Sequence, residues 1–234
     1  MKQPLRTHAS RAPVSLPGDG PARSGVKRPL AILAVALALG GCSLGKTGPT
    51  PTLYDLGADQ RSAPALAARA PLSLGFTAVP TLADPGMVWR IGDSASPRAY
   101  AQARWAAAPS ELVRQRLAER LSRQGAVLAE ASTGVPQLQV TLTRFEQVFQ
   151  PDGSASTGQL ALQAVLLADR RVVAQRRVER AVPAASQDAA GGAAALRQAT
   201  DEAADELAQW LAQAMPASSA AATPEAASGR ARPR

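Results

Sequence analysis

Apolar residues occupy mostly alternate positions in seven short segments of this chain. This pattern predicts strands, several of them with one buried face. The segments are residues 53–56, 71–79, 87–91, 98–105, 138–149, 160–166 and 172–182. The segments at 87–91 and 98–105 are expected to form a hairpin, and the last three, joined by short connections, to pair antiparallel. In the fifth segment the apolar positions shift by one between Leu142 and Phe145, which predicts a β-bulge there.

Two longer segments, residues 109–124 and 193–215, have the period of an amphipathic helix. In the first, apolar residues recur every four positions, at Val113, Leu117 and Leu121. In the second, the apolar residues fall within an arc of roughly 100°. We therefore expect an α+β fold, in which a single domain has a mainly antiparallel sheet packed by these two helices.

Charged residues line both predicted helices. Arg116, Arg120 and Arg123 form a stripe on the first helix. As a functional site this stripe would contact lipid headgroups or an acidic partner. As a structural feature it would be a solvated face with local ion pairs, such as that of Glu119 with Arg123. The acidic residues of the second helix are likewise expected to be solvated, and they are Asp201, Glu202, Asp205 and Glu206.

Residues 40–47, which read GGCSLGKT, fit two incompatible motifs. The first is GxxxxGKT, the pattern of a nucleotide-binding P-loop. A P-loop leads directly into a helix whose N-terminus faces the phosphates. Here the chain continues with Gly48, Pro49 and Pro51, and prolines at these positions prevent the first turns of that helix. The P-loop interpretation is therefore disfavoured.

The second motif is a lipobox, the sequence LGGC that ends at Cys42. Lys27 and Arg28 precede an uninterrupted apolar run at residues 30–39, and this order is typical of a secretory signal. The run is much shorter than the roughly 20 residues that span a bilayer. We therefore expect a lipoprotein signal peptide and lipid attachment at Cys42.

The lipobox divides the chain into four parts. Residues 1–41 are the signal peptide, and translation from Val26 would leave residues 1–25 untranslated. Residues 42–52 form a lipidated tether, in which Cys42 carries diacylglycerol and an N-acyl chain such as palmitate, a firm membrane anchor. Residues 53–215 form the folded domain. Residues 216–234, rich in Ala, Ser and Pro, are expected to be disordered.

The formal net charge of +8 suggests a nucleic-acid partner, but its distribution does not. The excess of basic residues lies in residues 1–41, at Lys46 and after residue 215, whereas residues 50–215 are balanced. A nucleic-acid-binding protein concentrates basic residues on its folded face. We therefore expect no nucleic-acid partner.

The residue inventory argues against catalysis. The single histidine, His8, lies in the signal peptide, and the single cysteine, Cys42, is consumed by lipid. A His/Cys zinc site, a Cys–His dyad and a Ser–His–Asp triad all need one of these residues in the mature chain. We expect no enzyme activity, no metal and no cofactor other than the acyl chains.

Several short motifs, taken in order, carry a family resemblance. They are Cys42-Ser43, LYDLG at 53–57, RAYAQARW at 98–105, PSEL at 109–112, FEQVF at 145–149 and the helix start near 188–192. In this order, over residues 42–212, the chain resembles the ABC-type transport auxiliary lipoproteins, the PqiC/YmbA-like group.

The resemblance implies a non-catalytic periplasmic lipoprotein, anchored to the outer rather than the inner membrane. It implies a role as an accessory or docking component of an ABC transporter for lipids or other hydrophobic molecules. The partner would be an MCE-domain (MlaD/PqiB-like) protein. The resemblance also allows the chain to form a homo-oligomer. The alternative is a lipid-binding or outer-membrane-assembly lipoprotein that works independently of a transporter.

Tyr100, Arg104 and Trp105 are the strand residues that we single out within this resemblance. Because Tyr100 and Trp105 are five apart on an extended segment, they are expected on opposite faces, one in the core and one exposed. They would form either core packing with Arg104 in a structural ion pair, or an aromatic and arginine patch for a partner. Arg116, Arg120 and Arg123 are the other candidates for partner binding.

Overall fold

The computed structural model describes residues 49–59 and 65–215. Cys42, the signal peptide, most of the tether and the segment after residue 215 lie outside the described residues, so the predictions made for them stay predictions. Within the described residues, no helix combines the length and the hydropathy of a membrane span.

The strands and helices follow one another in an order close to that predicted. The strands are β1 (Thr52–Tyr54), β2 (Leu72–Ala78), β3 (Gly86–Ile91), β4 (Arg98–Trp105), β5 (Val127–Leu128), β6 (Gln137–Phe149), β7 (Ser156–Ala168) and β8 (Arg171–Pro183). The helices are α1 (Pro109–Ser122) and α2 (Ala189–Ala214), and a short 3-10 helix spans Pro80–Leu82. The prediction of an α+β domain with two helices is confirmed.

The sheet is organised around β6. On one side, β6 pairs antiparallel with β7, which pairs antiparallel with β8. On the other side, β6 pairs in parallel with β2 along its first half and with β3 along its second half. Beyond β3, β4 pairs antiparallel with β3 and β1 pairs in parallel with β4, whereas β5 pairs in parallel with β2. The pairing is therefore mixed, and its longest ladders are antiparallel.

The predictions about β3 to β8 are largely confirmed. β3 and β4 form the hairpin, the strands from β6 to β8 are antiparallel neighbours, and the register of β6 shifts between Leu142 and Arg144, where the bulge was predicted. Helix α2 begins at Ala189, earlier than residue 193, because the Asp188 carboxylate caps it by accepting a hydrogen bond from Gly191 N at 2.8 Å.

The core lies between one face of the sheet and the two helices. Helix α2 packs across β6, β7 and β8, and α1 packs on α2 and β2. Near the start of α2, small residues such as Gly192 and Ala195 face the sheet and let the helix approach closely. At Gly158 of β7, an added Cβ would lie 2.7 Å from Leu196 N, so a larger residue there would push helix and sheet apart.

Candidate functional site

The arginine stripe of α1 is largely buried between the two helices. Arg116 pairs with Asp201 of α2, and Arg120 pairs with Asp205. The side chains of Arg116 and Arg120 are 3% and 1% exposed. The prediction of a solvated or partner-facing stripe is wrong for these two arginines, because α2 packs over them. For the same reason, the prediction of a solvated acidic face on α2 is wrong for Asp201 and Asp205, which these two arginines bind.

Arg123, the last residue of the stripe, lies nearer the surface. Its guanidinium pairs with Asp59 at 2.8 Å. The Glu119 carboxylate lies 3.7 Å from the Arg116 guanidinium, so among the described residues Glu119 pairs with Arg116 rather than with Arg123. Arg123 alone among the three stripe arginines remains exposed, and it is held by a segment that precedes β2.

The strand candidates on β4 have three different environments. Trp105 is buried in the core, and its ring lies 5.2 Å from that of Phe145. Tyr100 is half-buried rather than exposed, and Arg104 is exposed, without a described ion pair. Simple alternation fails here because the β3–β4 pairing shifts register between Gly86 and Val88. The expected structural ion pair of Arg104 is therefore not formed with any residue that the structure describes.

Tyr100 belongs to a cavity that we call the aromatic groove. Its main lining residues are Trp89, Ile91, Tyr100 and Phe149, and its volume is about 680 Å³. The Trp89 ring lies 6.1 Å from the Tyr100 ring and 5.6 Å from the Phe149 ring. Arg98 stacks on Trp89, with its guanidinium carbon 5.4 Å from the ring centroid. The groove thus presents an aromatic surface with one cation at its rim.

The groove lies where several strand ends meet. β3 brings Trp89 and Ile91 to it, and the parallel pairing of Ile91 with Phe149 places β6 beside them. The start of β4 contributes Tyr100, and the turn after β6 closes the side with Pro151. Ile91 is 43% exposed, so apolar surface is left open to solvent at this end of the sheet.

A hydrogen-bonded chain joins Tyr100 of the groove to Gln147 of β6 and Ser156 of β7. The Tyr100 hydroxyl donates to Gln147 Oε1 at 2.8 Å, and Gln147 Nε2 donates to Ser156 Oγ at 2.7 Å. Burial of the phenol, together with nearby Asp188, raises the pKa of Tyr100 to about 12. The hydroxyl therefore keeps its proton near neutral pH and acts as a hydrogen-bond donor.

The groove offers binding surface rather than acid–base chemistry. Its one phenol is held protonated, and the remaining lining is apolar or amide in character apart from Asp152. In the described ranges, no group of three or more His, Cys, Asp or Glu side chains could hold a metal ion. The arrangement fits a flat or shallow apolar partner.

Sequence reasoning found Tyr100 but missed Trp89, Ile91 and Phe149 as its neighbours. The hairpin that carries Trp89 was predicted, but the parallel contact of β3 with β6 was not. The available signal was indirect, since Ile91 and Phe149 are apolar residues at the point where each strand meets a turn.

Residues 54–208 match the family model of the ABC-type transport auxiliary lipoprotein component. The chain belongs to this family. The match includes every residue of the aromatic groove and both interhelical ion pairs. The resemblance stated from the sequence is thereby confirmed. The family name describes a membrane-anchored envelope protein that is associated with an ABC transporter.

Solved structures similar to this auxiliary lipoprotein support its fold. A Xanthomonas campestris protein of the DUF330 family is 25% identical, with a TM-score of 0.61 over 70% of this chain and 96% of that one. An uncharacterized protein is 17% identical, with a TM-score of 0.55 over 69% of this chain and 99% of that one, and this likeness shows the fold alone. No curated protein matches the chain.

Proposed function

We propose that this auxiliary lipoprotein is anchored through Cys42 to the periplasmic face of the outer membrane. There it acts as a non-catalytic docking component of an MCE-type ABC transporter for lipids or other hydrophobic molecules. The observation that carries this proposal is the family match over residues 54–208, which spans most of the folded domain.

The packing of the domain supports a docking role over a lipid-carrying one. A protein that shelters a lipid between its layers needs an apolar cavity there. In this fold the space between α2 and the sheet is filled by core side chains, among them Leu196, Leu207 and Leu211. The aromatic groove lies at one end of the sheet and opens to solvent.

The surface that faces the transporter is expected to include Arg104. This side chain is exposed on β4, and no described residue pairs with it. A cation that is free of local partners can bind a carboxylate of another protein without first breaking an internal ion pair. Of the strand candidates, Arg104 is therefore the one whose structure suits partner binding best.

A pull-down of the full-length tagged chain from membranes, followed by identification of the copurifying proteins, tests this role. Recovery of an MCE-domain protein supports it, and a preparation that contains only phospholipid contradicts it. The variant Cys42→Ala, tested in parallel, shows whether the contact requires the anchor. Because Cys42 precedes the described domain, this variant leaves the sheet and both helices unchanged.

A further inference from the structure

We propose that the end of the domain that carries the aromatic groove rests on the surface of the bilayer to which the chain is anchored. The occupant of the groove would be the interfacial region of a lipid leaflet. This inference rests on the proposed function in one respect, the lipid anchor at Cys42, and adds the orientation of the folded domain on the membrane.

The direction in which the chain enters the sheet gives the first argument. β1 pairs in parallel with β4, with Thr52 opposite Ala103. The N-terminal end of β1 therefore points toward the start of β4, where Tyr100 lies. From Ala103 to Tyr100 along β4 is only about 10 Å at ~3.3 Å per residue. The tether thus leaves the domain toward the end that bears the groove.

The length of the tether gives the second argument. Residues 43–51 lie between the lipidated position and the first strand. When fully extended, they span at most about 30 Å, at ~3.3–3.6 Å per residue. A tether this short keeps the end of the domain from which it emerges close to the lipid headgroups, and holds the opposite end away from them.

The side chains at this end suit a bilayer interface. Trp89 combines an apolar ring with a polar edge, the type of residue enriched where lipid headgroups meet acyl chains. Tyr100 adds ring surface beside it, while its hydroxyl is bonded inside the domain to Gln147. Phe149 and the exposed Ile91 add purely apolar surface beside them. Arg98, stacked on Trp89, can keep its charge among the headgroups while its stem covers the ring.

The charges around the groove indicate which lipid it meets. Arg98 is basic, whereas Asp152 and Asp188 lie at or near the same rim and Asp93 lies in the adjoining turn. This end of the domain therefore has no excess of positive charge to attract an anionic leaflet. Burial of apolar surface would provide the contact, so a zwitterionic leaflet suffices and added salt should not weaken it.

A fluorescence experiment on the lipidated full-length chain tests this orientation. Cys42 is the only cysteine, and its thiol is blocked by lipid, so one introduced cysteine can be labelled alone. Ile91→Cys places an environment-sensitive fluorophore at the groove. Val172→Cys is the matched control, because Val172 is also an exposed apolar residue and lies at the opposite end of the sheet. Each protein is reconstituted in phosphatidylcholine vesicles that contain nitroxide-labelled lipid.

We expect the nitroxide lipids to quench most of the fluorescence at position 91 and little of it at position 172, at low and at high salt. Equal quenching at both positions, or no quenching at position 91, would overturn the inference. The inference would also be overturned if the fluorophore at position 91 became shielded from solvent only after an MCE-domain protein was added, because the groove would then bind protein. Asp152→Cys, on the adjoining exposed turn, repeats the test if Ile91→Cys does not fold.

Vesicle flotation separates failure of the orientation from failure of the anchor. The wild-type chain should float with the vesicles, and Cys42→Ala should lose most of this flotation. If the wild-type chain does not float, the lipid anchor fails, and the orientation that depends on it fails too. If it floats normally but position 91 is not quenched, the anchor stands and only the inferred orientation is wrong.

Discussion

Arg116 of α1 and Asp201 of α2, 85 residues apart in the chain, form an ion pair that is buried between the two helices. One turn further along each helix, Arg120 and Asp205 repeat the arrangement. The two arginines are four residues apart, and so are the two aspartates. The arginines therefore lie on one face of α1, and the aspartates lie on one face of α2. The two pairs fix how α1 lies along α2, which apolar stripes alone leave less well defined.

Asp201→Ala should strongly destabilise the domain. It leaves the Arg116 guanidinium buried beside an apolar side chain, and removal of one partner of a buried pair costs about 3–5 kcal/mol. Arg116 also donates to Leu56 O at 2.9 Å, so we expect the lower part of that range. Urea unfolding of wild type and variant measures the difference in the free energy of unfolding.

Glu111→Ala provides the comparison for this prediction. It removes an ion pair with Arg114 on the same helix, but both of these side chains are exposed. Its effect should be at most about 1 kcal/mol. Equal losses for Asp201→Ala and Glu111→Ala would show that the interhelical pair is not a main determinant of stability.

Gly192→Ala should destabilise the domain, although alanine favours helices by about 1 kcal/mol over glycine. An added Cβ at residue 192 would overlap Gln147 Oε1, so the side chain that accepts the hydrogen bond from Tyr100 must move. Overpacking of this kind costs about 1–3 kcal/mol. Thermal unfolding shows whether Gly192→Ala lowers or raises the stability of the domain. A raised melting temperature would contradict the close helix–sheet contact. Ala194→Ser, at an exposed position of α2, should stay within about 0.5 kcal/mol of wild type.

The stability of the domain should fall as the pH rises from about 10 to about 12, because of Tyr100. Its pKa is raised from 10.0 to about 12 in the folded protein, first by burial and then by Asp188. In that window the folded state holds a proton that the unfolded state has released, so a rise in pH favours unfolding. Below that window the contribution of Tyr100 is fully present. Unfolding curves at several pH values measure the slope.

Tyr100→Phe should remove this part of the pH dependence. It should also lower the free energy of unfolding near neutral pH by about 1 kcal/mol, since Gln147 Oε1 loses its donor. Titration of tyrosinate absorbance in wild type and variant gives an independent measure of the pKa of Tyr100. An unchanged slope in Tyr100→Phe would assign the loss at high pH to another group.

Arg104→Glu should reduce recovery of the MCE-domain protein and leave the domain stable. Arg104 is exposed on β4, so the reversed charge disturbs no described contact but repels a carboxylate on the partner. Arg171→Glu serves as a control for charge reversal at another exposed arginine that has no ion pair with a described residue. Normal recovery with Arg104→Glu would exclude Arg104 from the partner-binding surface.

The sequence was most informative where structure depends on nearby residues. The hairpin of β3 and β4, the bulge after Leu142 and the periodicity of α1 all follow from local patterns, and each is present in the fold. The parallel contacts of β6 with β2 and β3 join segments distant in sequence, and no local pattern reports them. The aromatic groove depends on one of those contacts, so only Tyr100 could be singled out beforehand.

The buried arginines show a different limit of sequence reasoning. A charged stripe beside an apolar one normally indicates a solvated face. Here the complementary carboxylates lie on a second helix at the same spacing, and the two stripes neutralise each other when the helices pack. Matching the spacing of Arg116 and Arg120 with that of Asp201 and Asp205 would have been the signal.

The position of β6 has a consequence for the order of folding. β2 takes its longest ladder from β6, as in the pair Thr77 and Thr141, which are 64 residues apart. β3 can first pair with its hairpin neighbour β4, but its other edge also needs β6. The strands from β6 to β8, in contrast, find their neighbours across short turns, and such local contacts form fastest. In a chain that emerges amino end first, the proposed lipid-attachment site at Cys42 is therefore available before β6 can pair with β2. Under the proposed function, an enzyme that attaches lipid to Cys42 would then meet a polypeptide whose sheet is incomplete.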